Sequence, residues 1–158
     1  MIFEDVARRL ELERLYTDYA DCLDGDRLES WPDFFTDDCR YRVTSAENYE
    51  AGLPLGIIYA TSKDMLRDRV MALREANVYE PQRYRHLVSC LTVSPAGGGV
   101  AAVANVIVVR TMQDGAMSLF AVGRYIDRIV PAADGWKFAE KTVVLDSRRI
   151  DTLLAIPL

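Results

Sequence analysis

Histidine is almost absent from this sequence: its 158 residues include one, His86. A mononuclear iron site of two histidines and a carboxylate needs more than that, and so does an iron–sulfur cluster held by two histidines and two cysteines. Neither site can be built from this chain alone. A metal site made only of carboxylates stays open, because the chain carries 24 Asp and Glu residues.

Cysteine is also scarce, with Cys22, Cys39 and Cys90 in the whole chain. The number is odd and no two form a CxxC pair, so neither a disulfide framework nor a zinc knuckle is expected. The three thiols are better interpreted as small buried hydrophobes. No apolar run approaches the roughly 20 residues that span a bilayer, and the sequence opens as an amphipathic helix rather than a leader. We expect a cytoplasmic protein without membrane contact.

Lysine is rare as well, with 3 Lys against 16 Arg and a net charge of −5. An acidic balance argues against a nucleic-acid binder, which usually has a basic face. The arginine excess has two interpretations that stay open: docking to an acidic partner surface, or base composition with ordinary surface ion pairs. The interface candidates are Arg83, Arg85, Arg148 and Arg149.

Hydrophobic periodicity places helices first and long strands last. It predicts helices at 4–23, 28–35 and 62–77, a loop at 45–55, and strands at 39–44, 56–61, 83–93, 100–112, 117–130 and 136–145. This order is typical of an α+β fold with N-terminal helices packed on a strongly curved, mainly antiparallel sheet. The length fits one domain over 1–158.

Two segments are more apolar than a lone domain requires. Residues 100–107 (VAAVANVI) are apolar on both faces of the predicted strand, which indicates that a partner subunit covers the outer face. The tail, 147–158, contains Leu153 and Leu154 and is apolar where tails usually fray. We expect it to dock on its own sheet or on a neighbouring subunit, with both leucines as interface candidates.

The order of elements resembles the cone-shaped fold of nuclear transport factor 2, ketosteroid isomerases and scytalone dehydratase, also termed cystatin-like. Such a cone can enclose a pocket, and the fold hosts unrelated functions. Tyr84 and His86 share a strand face by the period of two. With Tyr19 and Tyr41, Tyr84 is a pocket candidate; packing as core aromatics is the more frequent role of such residues.

His86 has two possible roles. It could be a general base tuned by a carboxylate such as Asp24 or Asp127. A lone histidine on a strand is more often a hydrogen-bonded structural residue. The sequence alone leaves both roles open, with the structural one favoured.

Three segments together carry a resemblance to a known family. They are 16–44 (YTDYADCLDGDRLESWPDFFTDDCRYRVT), 62–89 (SKDMLRDRVMALREANVYEPQRYRHLVS) and 151–158 (DTLLAIPL). Across essentially its whole length the chain resembles the small (beta) subunits of aromatic-ring-hydroxylating, Rieske non-heme iron dioxygenases.

The resemblance implies a non-catalytic structural subunit in an α3β3 assembly with β–β contacts. The large (alpha) subunit would carry the Rieske [2Fe-2S] cluster and the mononuclear Fe(II), fed from NAD(P)H by a separate reductase. This chain would hold no cofactor or metal, and no catalytic residue of the family maps onto it. The implied substrate is an aromatic carboxylate of the terephthalate or salicylate type. The alternative is a stand-alone isomerase, dehydratase or cyclase of the same fold, with His86 as base.

Overall fold

The computed structural model describes residues 2–54, 56–76, 80–149, 154 and 156–158. Its helices are α1 (Ile2–Asp24), a 3-10 helix (Leu28–Phe34), α2 (Ala46–Glu50) and α3 (Lys63–Glu75). Its strands are β1 (Phe35–Ser45), β2 (Ile58–Ala60), β3 (Gln82–Ala96), β4 (Gly99–Met112), β5 (Met117–Ala132) and β6 (Gly135–Leu145). Helices packed on a sheet confirm the α+β prediction.

The six strands form one sheet in the order β2-β1-β6-β5-β4-β3. Strands β3 to β6 are a meander of hairpins, as the glycine-containing turns predict. Among the strands of the described residues, only β1 and β6 pair in parallel, because the meander ends with β6 lying beside β1. The N-terminal helices cover one face, called here the inner face, and most of the core lies between them and the sheet.

Irregular pairing interrupts the sheet at several points. The register shifts between Ser89 and Thr92 on β3, between Val108 and Val109 on β4, and between Arg128 and Ile129 on β5. A β-bulge bends its strand and increases the local twist. Three bulges in neighbouring strands therefore curve the sheet around the inner face, in agreement with the predicted curvature.

Several local predictions were wrong. Residues 46–50 form α2 rather than loop, because the Ser45 hydroxyl accepts a hydrogen bond from the Asn48 amide and caps a short helix. Cys90 is exposed rather than buried. It has a φ of 55° at the β3 bulge, and the extra residue there turns its side chain away from the core. The other two cysteines are buried as expected.

Helix α1 packs its apolar stripe on the inner face, with Leu12, Tyr16, Tyr19 and Leu23 at most 3% exposed. Pro32 is accommodated inside the 3-10 helix next to the fully buried Trp31. Within the part of the chain that the structure describes, no helix has both the length and the apolar character to cross a membrane.

Candidate functional site

Asp24 and His86 form a buried pair where the end of α1 meets β3. The Asp24 carboxylate accepts hydrogen bonds from the His86 backbone amide, at 3.0 and 3.1 Å, and lies 2.6 Å from His86 Nδ1. The side chains are 8% and 0% exposed, respectively. Of the two carboxylates that the sequence offered as partners for this histidine, the structure selects Asp24.

The pairing with Asp24 fixes the tautomer of the neutral His86 ring. A carboxylate at Nδ1 requires a proton on that nitrogen, so neutral His86 carries its lone pair on Nε2. Nε2 is buried and has no hydrogen-bond partner among the described residues. This arrangement matches the chemistry of a general base, and it equally matches a clamp that joins α1 to β3.

A second buried pair was not found from the sequence. Lys141 on β6 and Asp127 on β5 face each other across the hairpin, with Nζ 2.9 Å from Oδ2 and both side chains at 0% exposure. The Tyr16 hydroxyl donates to the same Asp127 oxygen at 2.5 Å. The ammonium lies 3.5 Å from the ring centroid of Tyr125 and 4.6 Å from that of Tyr19, close enough for cation–π attraction.

Burial moves the pKa of both members of this pair towards the neutral form. It lowers the pKa of Lys141 from 10.5 to about 8, against the attraction of Asp127. It raises the pKa of Asp127, against the ammonium and the Tyr16 hydroxyl. At neutral pH the lysine is still protonated and the two groups form an ion pair inside the core.

The lowered pKa of Lys141 predicts a pH-dependent stability. Above about pH 8 the folded chain has lost this proton while the unfolded chain keeps it up to pH 10.5, so the free energy of unfolding rises with pH. The buried thiols of Cys22 and Cys39, with raised pKa values, act oppositely from about pH 9. Urea titrations at pH 8 and 9 should show wild type gaining up to about 1 kcal/mol relative to Lys141→Met/Asp127→Asn. A constant difference would contradict the lowered pKa.

All three tyrosine pocket candidates are buried members of the core. Tyr19 on α1 and Tyr41 on β1 are 0% exposed, and their hydroxyls donate to the Leu158 backbone oxygen at 2.8 and 3.0 Å. Burial raises both pKa values. Trp31 Nε1 donates to the Tyr19 hydroxyl at 3.1 Å. The interior that these tyrosines were expected to line is thus filled by the chain's own tail.

Tyr84, the third candidate, lies at the wall of a cavity of about 670 Å³ between the end of α1 and the start of β3. Asp24, Arg83, Arg85 and Ile156 also line it. The Tyr84 ring packs against Phe120, with centroids 5.0 Å apart. Its role as a ligand-binding residue stays a prediction.

The outer face of the sheet is apolar and uncovered along β3, β4 and β5. Pairing places Leu87, Ile107 and Val122 in one row across the three strands, and they are 51%, 38% and 39% exposed. Leu119 and Val103 extend this outer patch, at 70% and 36% exposed. Residues 100–107 alternate between buried inner and exposed outer positions, which explains why their sequence is apolar on both faces.

Arginines border the outer patch at both ends. Arg83 and Arg85 project outward at one end and Arg124 and Arg128 at the other, since their neighbours along each strand point inward. The only acidic residue in β3, β4 and β5 is the buried Asp127. On the adjoining strand, exposed Glu140 of β6 lies opposite Arg128. The four arginines are called here the arginine rim.

The remaining interface candidates lie near the tail. Exposed Arg148 pairs with Glu47 at 2.8 Å, and exposed Arg149 contacts the Ser147 hydroxyl through its backbone. Leu154 packs in the chain's own core at 9% exposure. Leu153 lies outside the described residues. Their contact with a partner stays a prediction.

Among the described residues, no group of three or more His, Cys, Asp or Glu side chains is arranged to hold a metal ion. The Asp24–His86 and Asp127–Lys141 pairs are separate hydrogen-bonded units. Neither has the carboxylate cluster that the sequence had left open.

Sequence comparison identifies close relatives over nearly the whole chain. A family model described as "Ring hydroxylating beta subunit" matches residues 19–152. The anthranilate 1,2-dioxygenase small subunit of Burkholderia cepacia is 42% identical over 98% of this chain and 97% of its own length. Beta subunit 1 of the terminal oxygenase component of terephthalate 1,2-dioxygenase from Comamonas sp is 44% identical, over 89% of this chain and 92% of that one.

Solved structures agree on the fold. The beta subunit of a proposed aromatic-ring-hydroxylating dioxygenase from Novosphingobium aromaticivorans superposes with a TM-score of 0.88 at 38% identity, covering 99% of both chains. An NTF2-like protein with a cystatin-like fold from the same species gives 0.68 at 16% identity, over 93% of this chain and 87% of that one, which supports the fold alone. The predicted cone-shaped, NTF2-like fold is confirmed. The chain belongs to the ring hydroxylating beta subunit family, the small subunits of aromatic-ring-hydroxylating dioxygenases.

Proposed function

We propose that this chain is the non-catalytic, structural beta subunit of a Rieske-type oxygenase and stabilises an α3β3 assembly. Members of its family pair with an oxygenase alpha subunit. In our proposal that subunit carries the Rieske cluster, the mononuclear Fe(II) and the catalytic site, and a separate reductase supplies electrons from NAD(P)H. This chain contributes one domain, 1–158, and acts in the cytoplasm, in keeping with its three free cysteines.

The observation that carries this proposal is the outer patch. A monomeric protein rarely leaves a contiguous apolar surface open, and such surfaces usually mark contacts with other chains. Here the row formed by Leu87, Ile107 and Val122 crosses three strands of a rigid sheet. An obligate interface buries roughly 2,000–5,000 Å² and is more apolar than the remaining surface. Strands β3, β4 and β5, at one edge of the sheet, supply the apolar part of such a surface.

The arginine rim specifies the charge of the partner surface. Four arginines border the outer patch, and among the described strand pairs only Arg128 has a carboxylate directly opposite, that of Glu140. Arginine forms forked hydrogen bonds with carboxylates and is enriched at interfaces. We therefore expect the large subunit to present an apolar centre with acidic residues around it, and β–β contacts to complete the trimer elsewhere on the chain.

The proposed substrate of the complex is an aromatic carboxylate. The two relatives described above are named for anthranilate and terephthalate, and both molecules are benzene rings carrying a carboxylate. The salicylate type expected from the sequence is chemically close to anthranilate. In this proposal the large subunit selects the substrate, and the small subunit fixes the geometry of the assembly.

Ile107→Asp tests the docking face. Burying an unpaired carboxylate at the centre of an interface costs several kcal/mol. When the chain is tagged and co-expressed with its large subunit, we expect Ile107→Asp to reduce the iron-containing large subunit recovered by about tenfold or more. Met71→Asp is the matched control, since Met71 is 56% exposed on α3, away from the sheet, and it should recover wild-type amounts.

The outcomes separate the possible occupants of the outer patch. Loss of the large subunit with Ile107→Asp, in a variant with wild-type circular dichroism, supports the proposal. Unchanged recovery with a loss of β–β association would assign this face to a second copy of the chain. A large subunit that is soluble and fully active by itself would contradict the stabilising role.

A stand-alone isomerase, dehydratase or cyclase is the second candidate function. The Asp24–His86 pair favours it, because Nδ1 is held by a carboxylate and the buried Nε2 is unpartnered among the described residues. This candidate requires turnover by the isolated chain that His86→Ala abolishes. Recovery of the chain with an iron–sulfur protein in equal amount would contradict it.

A further inference from the structure

The tail enters the core rather than lying on the surface. Leu154, Ile156 and Leu158 are 9%, 5% and 0% exposed, and Pro157 between the last two is buried as well. The three aliphatic residues belong to the same apolar cluster as the interior aromatic residues. Removing large aliphatic side chains from water stabilises the folded chain with the tail in place.

The backbone of Leu158 is held by the chain's own polar groups. The Tyr41 hydroxyl donates to its carbonyl oxygen at 3.0 Å and also lies 3.2 Å from its amide nitrogen, from which it accepts. The Tyr19 hydroxyl donates to the same carbonyl oxygen at 2.8 Å, while Trp31 Nε1 donates to Tyr19 at 3.1 Å. These contacts join α1, the 3-10 helix and β1 around one residue.

Such a constellation is a binding site rather than ordinary core packing. An aromatic core does not require two hydroxyls that converge on one backbone oxygen. If Leu158 were absent, the Tyr41 hydroxyl would lose both of its bonds and the Tyr19 hydroxyl would lose its acceptor, keeping only the bond from Trp31. Ile156 meanwhile lies at the wall of the cavity beside Asp24 and Tyr84. The tail therefore lies between the tyrosine site and this cavity.

We propose that the end of the chain, described at 154 and 156–158, is an intramolecular ligand of the cone, bound in a site for an apolar peptide. The site recognises the peptide backbone through Tyr19 and Tyr41 and accepts aliphatic side chains in the surrounding aromatic cluster. While the tail is bound, the same hydroxyls are unavailable to the carbonyl or carboxylate oxygen of a small molecule. The site and its occupant do not depend on the identity of the partner subunit.

Amide hydrogen exchange in the full-length chain gives the first test. The bond from the Leu158 amide to the Tyr41 hydroxyl should protect that amide, and Tyr41→Phe removes the acceptor without changing the ring. We expect exchange at Leu158 to become about tenfold faster or more. Tyr59→Phe is the matched control, because Tyr59 is 52% exposed on β2. A Leu158 amide that exchanges freely in wild type overturns the proposal.

Peptide binding gives the second test. Ile156→Asp/Leu158→Asp introduces charges that the core cannot solvate, which releases the tail. A fluorescent peptide of sequence LAIPL should then bind saturably to this variant but not to wild type, and Tyr19→Phe/Tyr41→Phe in the variant should weaken binding about tenfold or more. Circular dichroism confirms folding of each variant. A folded variant with an exposed tail that fails to bind the peptide overturns the proposal.

Discussion

Replacing Lys141 by methionine should lower the free energy of unfolding by about 3–5 kcal/mol. The substitution retains most of the side-chain volume but leaves the Asp127 carboxylate in a fully buried position without its counter-ion. It also removes the ammonium from the face of the Tyr125 ring, 3.5 Å away. Urea unfolding at pH 7, followed by far-ultraviolet circular dichroism, measures the change.

A double variant separates the charge from the packing. Lys141→Met/Asp127→Asn removes both charges and retains an acceptor for the Tyr16 hydroxyl, which donates to Asp127 in the wild type. We expect it to recover more than half of the stability lost in Lys141→Met, because no buried charge is left unpaired. An equal loss in the single and double variants would show that packing of the lysine stem, not the ion pair, stabilises the hairpin.

The sequence could not have predicted this pair, and the reason is one bulged residue. Near the turn of the β5–β6 hairpin, Ala132 lies opposite Gly135 and Ile129 opposite Phe138. Continued without interruption, this register would bring Asp127 opposite Glu140. The extra residue is Ala139 on β6, opposite the step from Arg128 to Ile129; it moves the register by one and brings Lys141 opposite instead. Hydrophobic periodicity identifies the strands but does not show where a bulge shifts the pairing between them.

Other features followed directly from local chemistry. The helical stripe of α1 and the glycine-containing turns of the meander were predictable because each depends on neighbouring residues alone. The short helix α2 was missed, although Ser45 three residues before Asn48 is a recognisable capping arrangement. The partner of His86 was narrowed to Asp24 or Asp127, and the choice required the tertiary structure. The comparison with known subunits then identified the family, which no single side chain indicates.

The tail and the outer patch also separate what the sequence can predict from what requires the tertiary structure. The apolar character of both was visible in the sequence, and both were expected to be covered. Their environments in the isolated chain differ: Leu158 is fully buried by its own chain, whereas Leu87 on the outer patch is half exposed. An apolar sequence pattern does not distinguish a surface covered by the same chain from one covered by a partner, because both need the same apolar residues.

Asp24→Ala should destabilise the chain by about 3 kcal/mol, and His86→Phe by less than half of that. The reason is an asymmetry in the pair. Asp24 accepts from both the backbone amide and the ring of His86, so its removal leaves two buried donors unsatisfied. His86→Phe removes only the Nδ1–H donor of the imidazole and leaves the bond from the residue 86 backbone amide to Asp24 in place. Chemical denaturation of the two variants measures both effects.

The same variants distinguish a structural clamp from a catalytic base. If Asp24 and His86 join α1 to β3, the co-expressed complex carrying His86→Phe should turn over its aromatic substrate at the wild-type rate, since the proposed chemistry is on the large subunit. If His86 Nε2 removes a proton from a substrate of this chain, turnover of that substrate by the isolated chain should fall by the 10²–10⁴-fold typical of a lost general base, about the same for Asp24→Ala and with no relation to stability. The order of the two variants in stability, together with an unchanged rate, would assign the pair to the fold.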